Sequence, residues 1–145
     1  MRWLGSGEPM LRLETRARAR ALQLLYACEI TGTGSVQAAA GLARLTGPEP
    51  KVLDGAEALA SGVLANRDSL DRQIRDAADN WRMERIGIVE RNILRLAIHE
   101  LEVGATPPKV VIDEAIRLGQ WFGGPKTPAF VNGVLDRIAH SLGRL

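Results

Sequence analysis

Apolar side chains recur at intervals of three or four residues along most of the chain, and glycine and proline residues interrupt the pattern. This interval places residues on one face of an α-helix, whereas a half-buried strand would require alternation at every second position. No convincing two-residue alternation is present. The pattern therefore predicts about seven helices, over residues 11 or 15 to 30, 35–45, 49–78 with a break near 66–69, 88–103, and two final segments that begin near 108 and 128.

The starts of the last two helices carry the clearest local signals. Thr106-Pro107-Pro108 and Thr127-Pro128 each place a threonine, which caps helix N-termini, ahead of a proline, which suits the first helical turn. The segment 88–103 is apolar around most of its circumference, so we expect it to be the central helix of the core. The predicted fold class is an all-α bundle with about three helices in each of two halves. We expect residues 1–10 to be a flexible extension and residues 11–145 to be a single domain.

Composition narrows the class of protein. The chain has 145 residues, of which 46% are hydrophobic and 25% charged, as in ordinary globular domains. Cys28 is the single cysteine, which excludes an internal disulfide and favours a reducing compartment. No apolar run approaches the roughly 20 residues that cross a bilayer, and the N-terminus lacks the apolar core of a secretory signal. We therefore expect a cytoplasmic protein with no membrane association.

The positive charge of the chain is concentrated near its N-terminus. Net charge is only +2, but residues 1–20 contain five arginines against two glutamates. On a helical wheel, Ala17, Ala21 and Leu24 face the core. Arginines beside an aromatic ring suit single-stranded RNA, because guanidinium groups bind phosphates and a tyrosine stacks on a base. A solvated arginine face is the alternative. The candidate RNA-binding residues of this helix are Arg12, Arg16, Arg20 and Gln23 opposite the core, Tyr26 at their edge and Arg18 on the flank.

Two further groups of residues suggest binding surfaces in the second half. Lys126 precedes the last helix, which begins with Phe130 and Asn132, and a helix N-terminus beside a lysine can hold a phosphate. Ordinary capping with a core phenylalanine is the alternative. Trp81, Glu84 and Glu90 combine an aromatic ring with two acids, which suits the rim of a site for a basic protein partner. Trp81 as a core anchor is the alternative to that interpretation.

The residues give little support for catalysis or for a cofactor. Cys28 lies on the apolar side of the first helix, where a structural thiol is expected. His99 and His140 have no metal-ligand spacing, and no glycine-rich phosphate loop is present. Asp113 is expected to pair with Arg117 four residues later instead of acting as an acid or base. We therefore expect a protein that is not an enzyme and that holds neither a metal nor a cofactor.

Four blocks of sequence together resemble the NusB family across nearly the whole chain after residue 11. They are RARARALQLLY at 16–26, ERNILRLAIHEL at 90–101, KVVIDEAI at 109–116 and FVNGVLD at 130–136. The resemblance implies a transcription antitermination factor. Such a factor binds the boxA element of ribosomal-type transcripts together with the small-subunit ribosomal protein NusE, within an antitermination complex on RNA polymerase.

The resemblance also assigns roles to residues of this chain. It places RNA on Arg16, Arg18, Arg20 and Tyr26, and extends the RNA surface to Lys126, Phe130 and Asn132. Glu84 and Glu90 become the acids that face the partner. His99 and Asp113 depart from the family pattern, where tyrosine and asparagine are common, and we expect these changes to affect local packing only. Lys126 stands in a stretch that is often acidic in relatives and is expected to add a phosphate contact.

Two other functions are compatible with these residues. One is a helical adaptor that binds protein but no RNA. The other is the RNA-binding domain of an rRNA cytosine methyltransferase, although a chain that ends at Leu145 leaves no room for a cofactor-binding catalytic domain. Some relatives form homodimers, and no exposed stripe in the sequence decides whether this chain does.

Overall fold

The structure, a computed structural model, describes residues 12–32, 36, 49–78 and 82–145. These residues form six α-helices and one short 3-10 helix, and none of the described residues lies in a strand. The chain divides into two compact units, with the boundary between Ala65 and Asn66. The helices are α1 (Leu13–Thr31), α2 (Pro50–Ala65), α3 (Arg67–Ala77), α4 (Ile88–Val103), α5 (Pro108–Phe122) and α6 (Thr127–Ser141), and the 3-10 helix is Met83–Arg85.

The described part of the first unit is a close pairing of α1 with α2. Small side chains permit the approach: a Cβ built on Gly55 of α2 would lie 3.2 Å from the Cβ of Ala17 on α1. Ala21 on α1 and Ala56 on α2 are fully buried. Helix α1 ends where Gly32 adopts φ of 70°, a left-handed conformation that glycine enters without steric cost. The predicted end of the first helix is therefore confirmed.

The second unit is organised around α4, which packs against α3, α5 and α6. This confirms the sequence expectation that 88–103 is a central helix. Its buried apolar side chains are Ile93, Leu94, Leu96, Ala97, Ile98 and Leu101. Helices α5 and α6 each contribute an apolar stripe with helical spacing, as the pattern predicted. Each Å² of apolar surface that these side chains remove from water contributes about 25 cal/mol to stability.

A buried ion pair joins α3 to α4 inside this core. The guanidinium of Arg95 donates from Nε to Oδ1 of Asp71 at 2.7 Å and from Nη2 to Oδ2 at 3.0 Å. Its Nη1 also donates to Oδ1 of Asn92 at 3.1 Å, and Asn92 in turn donates to the carbonyl of Ile88 at 2.8 Å. The side chains of Arg95 and Asp71 are only 4% and 11% exposed. The two parallel hydrogen bonds offset part of the cost of desolvating both charges.

The C-terminus closes the far end of α4. Gly104 ends the helix with φ of 77°, and Arg144 donates from Nη1 to the carbonyl of Leu101 and from Nη2 to the carbonyl of Thr106, the latter at 3.2 Å. A cation at the carboxyl end of a helix is favourable both for the unsatisfied carbonyls and for the helix dipole. The last residues of the chain therefore fix the connection between α4 and α5.

Two predictions about the elements are not tested by the described residues, and one needs correction. The predicted helix over 35–45 lies outside the described residues except for Val36, which is buried, so the prediction of seven helices is not tested there. The predicted extension over 1–10 also lies outside them. The second unit holds four α-helices instead of about three, because the break in 49–78 falls at Asn66 and α3 packs with α4.

Two local predictions in α5 are also wrong. Helix α5 begins at Pro108, with Pro107 as its N-cap residue, so Thr106 lies one residue too early to cap it. The ion pair that Arg117 forms is with Glu114, at 3.7 Å, and not with Asp113. The guanidinium also lies over the ring of Trp121, 5.8 Å from its centroid, which draws it toward the side of the helix that carries Glu114.

No described helix is both long enough and apolar enough to cross a membrane.

Candidate nucleic-acid interface

Helix α1 carries an arginine row, which we define as Arg12, Arg16 and Arg20. A spacing of four residues keeps them on one side of the helix. Arg12 is the exposed N-cap residue. Arg16 is largely covered, with 16% of its side chain exposed, and its Nη1 lies 3.3 Å from Oε1 of Glu49. Glu49 directly precedes α2 and is 64% exposed, so this ion pair is open to competition by another anion.

Arg20 is held by its neighbours on the same helix. Its Nη1 donates to Oε1 of Gln23 at 3.1 Å, which fixes the direction of the guanidinium. Partial burial lowers the pKa of Arg20, and the like charge of Arg16 lowers this pKa further. Both effects disfavour the charged form, and a phosphate placed beside the two guanidinium groups would relieve the repulsion. Tyr26 is half-buried.

The structure corrects the predicted exposure of Arg18 and Gln23. Arg18 is only 6% exposed and Gln23 is fully buried, although the helical wheel placed Gln23 opposite the core. The wheel assumed one buried stripe, whereas α1 buries side chains around most of its circumference. Gln23 therefore acts on Arg20 through its side-chain oxygen, and neither Arg18 nor Gln23 presents a surface of useful size to RNA.

In the second unit, Lys126 and Phe130 line one cavity of about 250 Å³. Lys126 is exposed and is the N-cap residue of α6, and Phe130 is half-buried on the first turn of that helix. The cavity places two cations, a carboxylate and an aromatic ring within one small volume. Its lining is Arg85, Ile86, Gly87, Glu90, Lys126, Thr127 and Phe130.

Asn132, also predicted to bind RNA, is exposed on α6 but does not line this cavity. Glu84 is exposed on the 3-10 helix, which leaves it accessible to a partner. Trp81 lies outside the described residues, so neither interpretation of it is tested. The structure thus places Glu90 beside Lys126 and Phe130, a grouping that the sequence did not predict.

Glu90 lines the cavity, and its carboxylate also accepts a hydrogen bond from another residue of the protein. Its Oε1 accepts a hydrogen bond from the hydroxyl of Thr127 at 2.8 Å. That hydroxyl in turn accepts from the backbone N–H of Gly124 at 2.9 Å. The prediction that Thr127 caps α6 is therefore wrong: its hydroxyl is occupied by Glu90 and Gly124, and Thr127 is itself the first residue of the helix.

Sequence reasoning missed Arg85 and Thr127 as members of this group. Arg85 lies in a segment that the pattern predicted only as a connection, so nothing in the sequence placed it near Lys126. The Thr-Pro signal at 127–128 was present, but it predicts the start of a helix and not the partner of the threonine hydroxyl. Within the described residues, no three His, Cys, Asp or Glu side chains gather in a way that would hold a metal ion.

Comparison with known proteins identifies the family. The profile of the NusB family matches residues 15–140. The chain belongs to the NusB family. It is 44% identical over 134 residues to the transcription antitermination protein NusB of Anaeromyxobacter dehalogenans strain 2CP-1, which covers 92% of this chain and 94% of the relative.

Solved structures of NusB proteins share the fold. The NusB structure of T. maritima superposes with a TM-score of 0.77 and 30% identity, and covers 88% of this chain and 90% of that one. A crystal structure of the antitermination factors NusB and NusE in complex with dsRNA gives a TM-score of 0.76 at 26% identity, covering 91% of this chain and 99% of the other. NusB proteins have thus been observed with both a protein partner and RNA.

Proposed function

We propose that this chain is a transcription antitermination factor that binds boxA-type RNA together with the ribosomal protein NusE and acts in the cytoplasm on elongating RNA polymerase. It acts by binding and not by catalysis. Family membership supports this function, since the relative from Anaeromyxobacter bears that name and matches over 94% of its own length. The solved complex of NusB, NusE and dsRNA supports the two classes of partner. The name of this relative favours an antitermination factor over the RNA-binding domain of a methyltransferase.

The arginine row is the observation that carries RNA binding. It places three guanidinium groups on one side of α1, with the half-buried Tyr26 on the same helix. Phosphate oxygens accept two hydrogen bonds from one guanidinium, and a base stacks on the tyrosine ring. We propose that Arg12, Arg16 and Arg20 contact phosphates, and that Gln23 orients Arg20 from inside the helix packing.

In the second unit, Lys126 supplies a further phosphate contact, and Phe130 an aromatic surface beside it. Asn132 offers an amide on the exposed side of α6 for hydrogen bonds to a base. The exposed Glu84 and the half-buried Glu90 present carboxylates to a basic partner. Two contacts of modest affinity, one with RNA and one with NusE, stabilise a joint complex through effective concentration.

The test is binding of a fluorescently labelled boxA RNA at several salt concentrations, with and without NusE. With four to six phosphates contacted, the slope of log K against log salt should be about −3 to −4. Changing Arg12, Arg16 and Arg20 together to Gln should make the slope less negative by about 2, because each lost phosphate contact removes about 0.7. Arg75→Gln, on the exposed side of α3, is the matched control and should leave the slope unchanged.

The ion pair between Arg16 and Glu49 allows a change in the opposite direction. Glu49→Gln should raise RNA affinity by roughly two- to fivefold, the value of a surface ion pair that the phosphate no longer has to displace. If the triple arginine variant binds RNA as the unaltered chain does, the RNA-binding assignment is wrong. The helical protein adaptor is then the better description, and binding of NusE without RNA would support it.

A further inference from the structure

Glu90 and Thr127 form a latch between the start of α4 and the turn that carries Lys126. We propose that this latch positions Lys126 and Phe130 for RNA, so that Glu90 and Thr127 are positioning residues for RNA binding without touching it. The inference rests on the proposed function, since it concerns the RNA surface of the turn. Its chemistry is a hydrogen-bond relay from carboxylate to hydroxyl to backbone amide.

Two hydrogen bonds between Thr127 and Gly124 close the turn over 124–127. The backbone N–H of Thr127 donates to the carbonyl of Gly124 at 3.1 Å, and the backbone N–H of Gly124 donates to the hydroxyl of Thr127 at 2.9 Å. Pro125 and Lys126 lie between these two bonds. The position of Lys126 is therefore set by Thr127, through the side chain as well as through the backbone.

Glu90 completes the relay by fixing the direction of the hydroxyl. A threonine hydroxyl has one hydrogen to donate and lone pairs that accept. Because its hydrogen points at Oε1 of Glu90, a lone pair is available to the N–H of Gly124. Without an acceptor at Glu90 the hydroxyl is free to rotate, and the bond that closes the turn loses its preferred geometry.

The packing around the latch leaves little room for another arrangement. Thr127 is only 5% exposed, and a Cβ at Gly123 would lie 2.6 Å from its side chain. A Cβ at Gly87 would overlap Oε2 of Glu90, so a larger residue at this position requires the carboxylate to shift from its place beside Thr127. The glycines at both ends of the relay thus make space for the latch.

The latch also connects two surfaces that the proposed function treats separately. Glu90 lies three residues after Gly87, in the segment offered to the protein partner, and it lines the same cavity as Lys126 and Phe130. Preorganising a binding turn reduces the conformational entropy lost when a ligand orders it. We therefore expect the latch to strengthen RNA binding even in the absence of a partner.

The experiment compares variants of Thr127 in the boxA RNA assay without NusE. Thr127→Val removes the hydroxyl while keeping the branched shape, and should weaken RNA binding by roughly three- to tenfold, the range for loss of one or two hydrogen bonds. Thr127→Ser keeps the hydroxyl and should restore affinity to within roughly twofold. Gly87→Ala disturbs the other end of the latch, because its Cβ would displace the carboxylate of Glu90. This variant should weaken RNA binding by a similar factor.

A double-mutant cycle with Lys126→Gln separates positioning from general destabilisation. If the latch acts through Lys126, Thr127→Val should have little further effect in the Lys126→Gln background, and each change alone should make the salt slope less negative by up to about 0.7. Unchanged affinity of Thr127→Val and Gly87→Ala would overturn the inference. So would an effect of Thr127→Val that is additive both with Lys126→Gln and with Phe130→Ala. If Thr127→Val does not fold, the RNA affinity of Gly87→Ala tests the inference in its place. Absence of RNA binding by the unaltered chain would instead contradict the proposed function itself.

Discussion

The buried pair of Asp71 and Arg95 allows a sharp prediction about stability. Asp71→Ala removes the carboxylate that receives two hydrogen bonds, of 2.7 and 3.0 Å, from a guanidinium that is 4% exposed. Breaking a buried ion pair by removing one partner costs about 3–5 kcal/mol, because the remaining charge keeps its desolvation penalty. This is a large fraction of the roughly 5–15 kcal/mol that stabilises a typical domain.

The expected measurement is urea unfolding followed by circular dichroism at 222 nm, together with thermal unfolding. At about 2–4 °C per kcal/mol for a chain of this size, Tm should fall by roughly 10 °C. Asp76→Ala is the matched control, since it removes the same charge from an exposed position of the same helix. It should change the free energy of unfolding by less than about 0.5 kcal/mol.

A second variant tests the physical reason and not only the size of the effect. Replacing both partners, Asp71→Leu with Arg95→Met, removes the two buried charges together. The double variant should be close to the unaltered chain in stability, or above it, and therefore clearly more stable than Asp71→Ala alone. The reasoning fails if Asp71→Ala costs less than about 1 kcal/mol, or if the double replacement is as destabilising as the sum of the two single changes.

Three smaller predictions follow from local geometry. Gly123→Ala should destabilise the protein by about 1–3 kcal/mol, because its Cβ would overlap Thr127. Gly133→Ala, which has open space at the Cβ, should stabilise the protein by about 0.5–1 kcal/mol. Urea unfolding of both variants checks the opposite signs. Arg144→Ala should lower Tm, since it removes two hydrogen bonds from a charged donor, at about 1–3 kcal/mol. Burial raises the pKa of the Cys28 thiol, so iodoacetamide at pH 8 should react roughly tenfold more slowly with the folded chain than in urea. Because the unfolded thiol ionises first, the free energy of unfolding should also fall as pH rises above about 8.5, the ordinary thiol pKa.

Much of the fold followed from local sequence rules. The segment 88–103 was predicted with the bounds that the structure gives it, since its apolar residues and the flanking Gly87 and Gly104 act within a few residues of the helix. The break of the long segment at Asn66 and the end of α1 at Gly32 were likewise predicted by local signals. The family itself followed from blocks of sequence whose order and spacing are preserved.

The tertiary structure alone decided which polar side chains meet. Arg18 and Gln23 have the composition of a solvated face, yet both are buried, because packing covers more of α1 than one stripe. Nothing within three or four residues of Arg95 predicts that it binds Asp71, which lies 24 residues earlier. Likewise Glu90 and Thr127 are 37 residues apart and each had a plausible local role. Periodicity reports which face of a helix is apolar, but the partner of a buried hydrogen-bonding group depends on which helices pack together, and that is decided only when the chain folds.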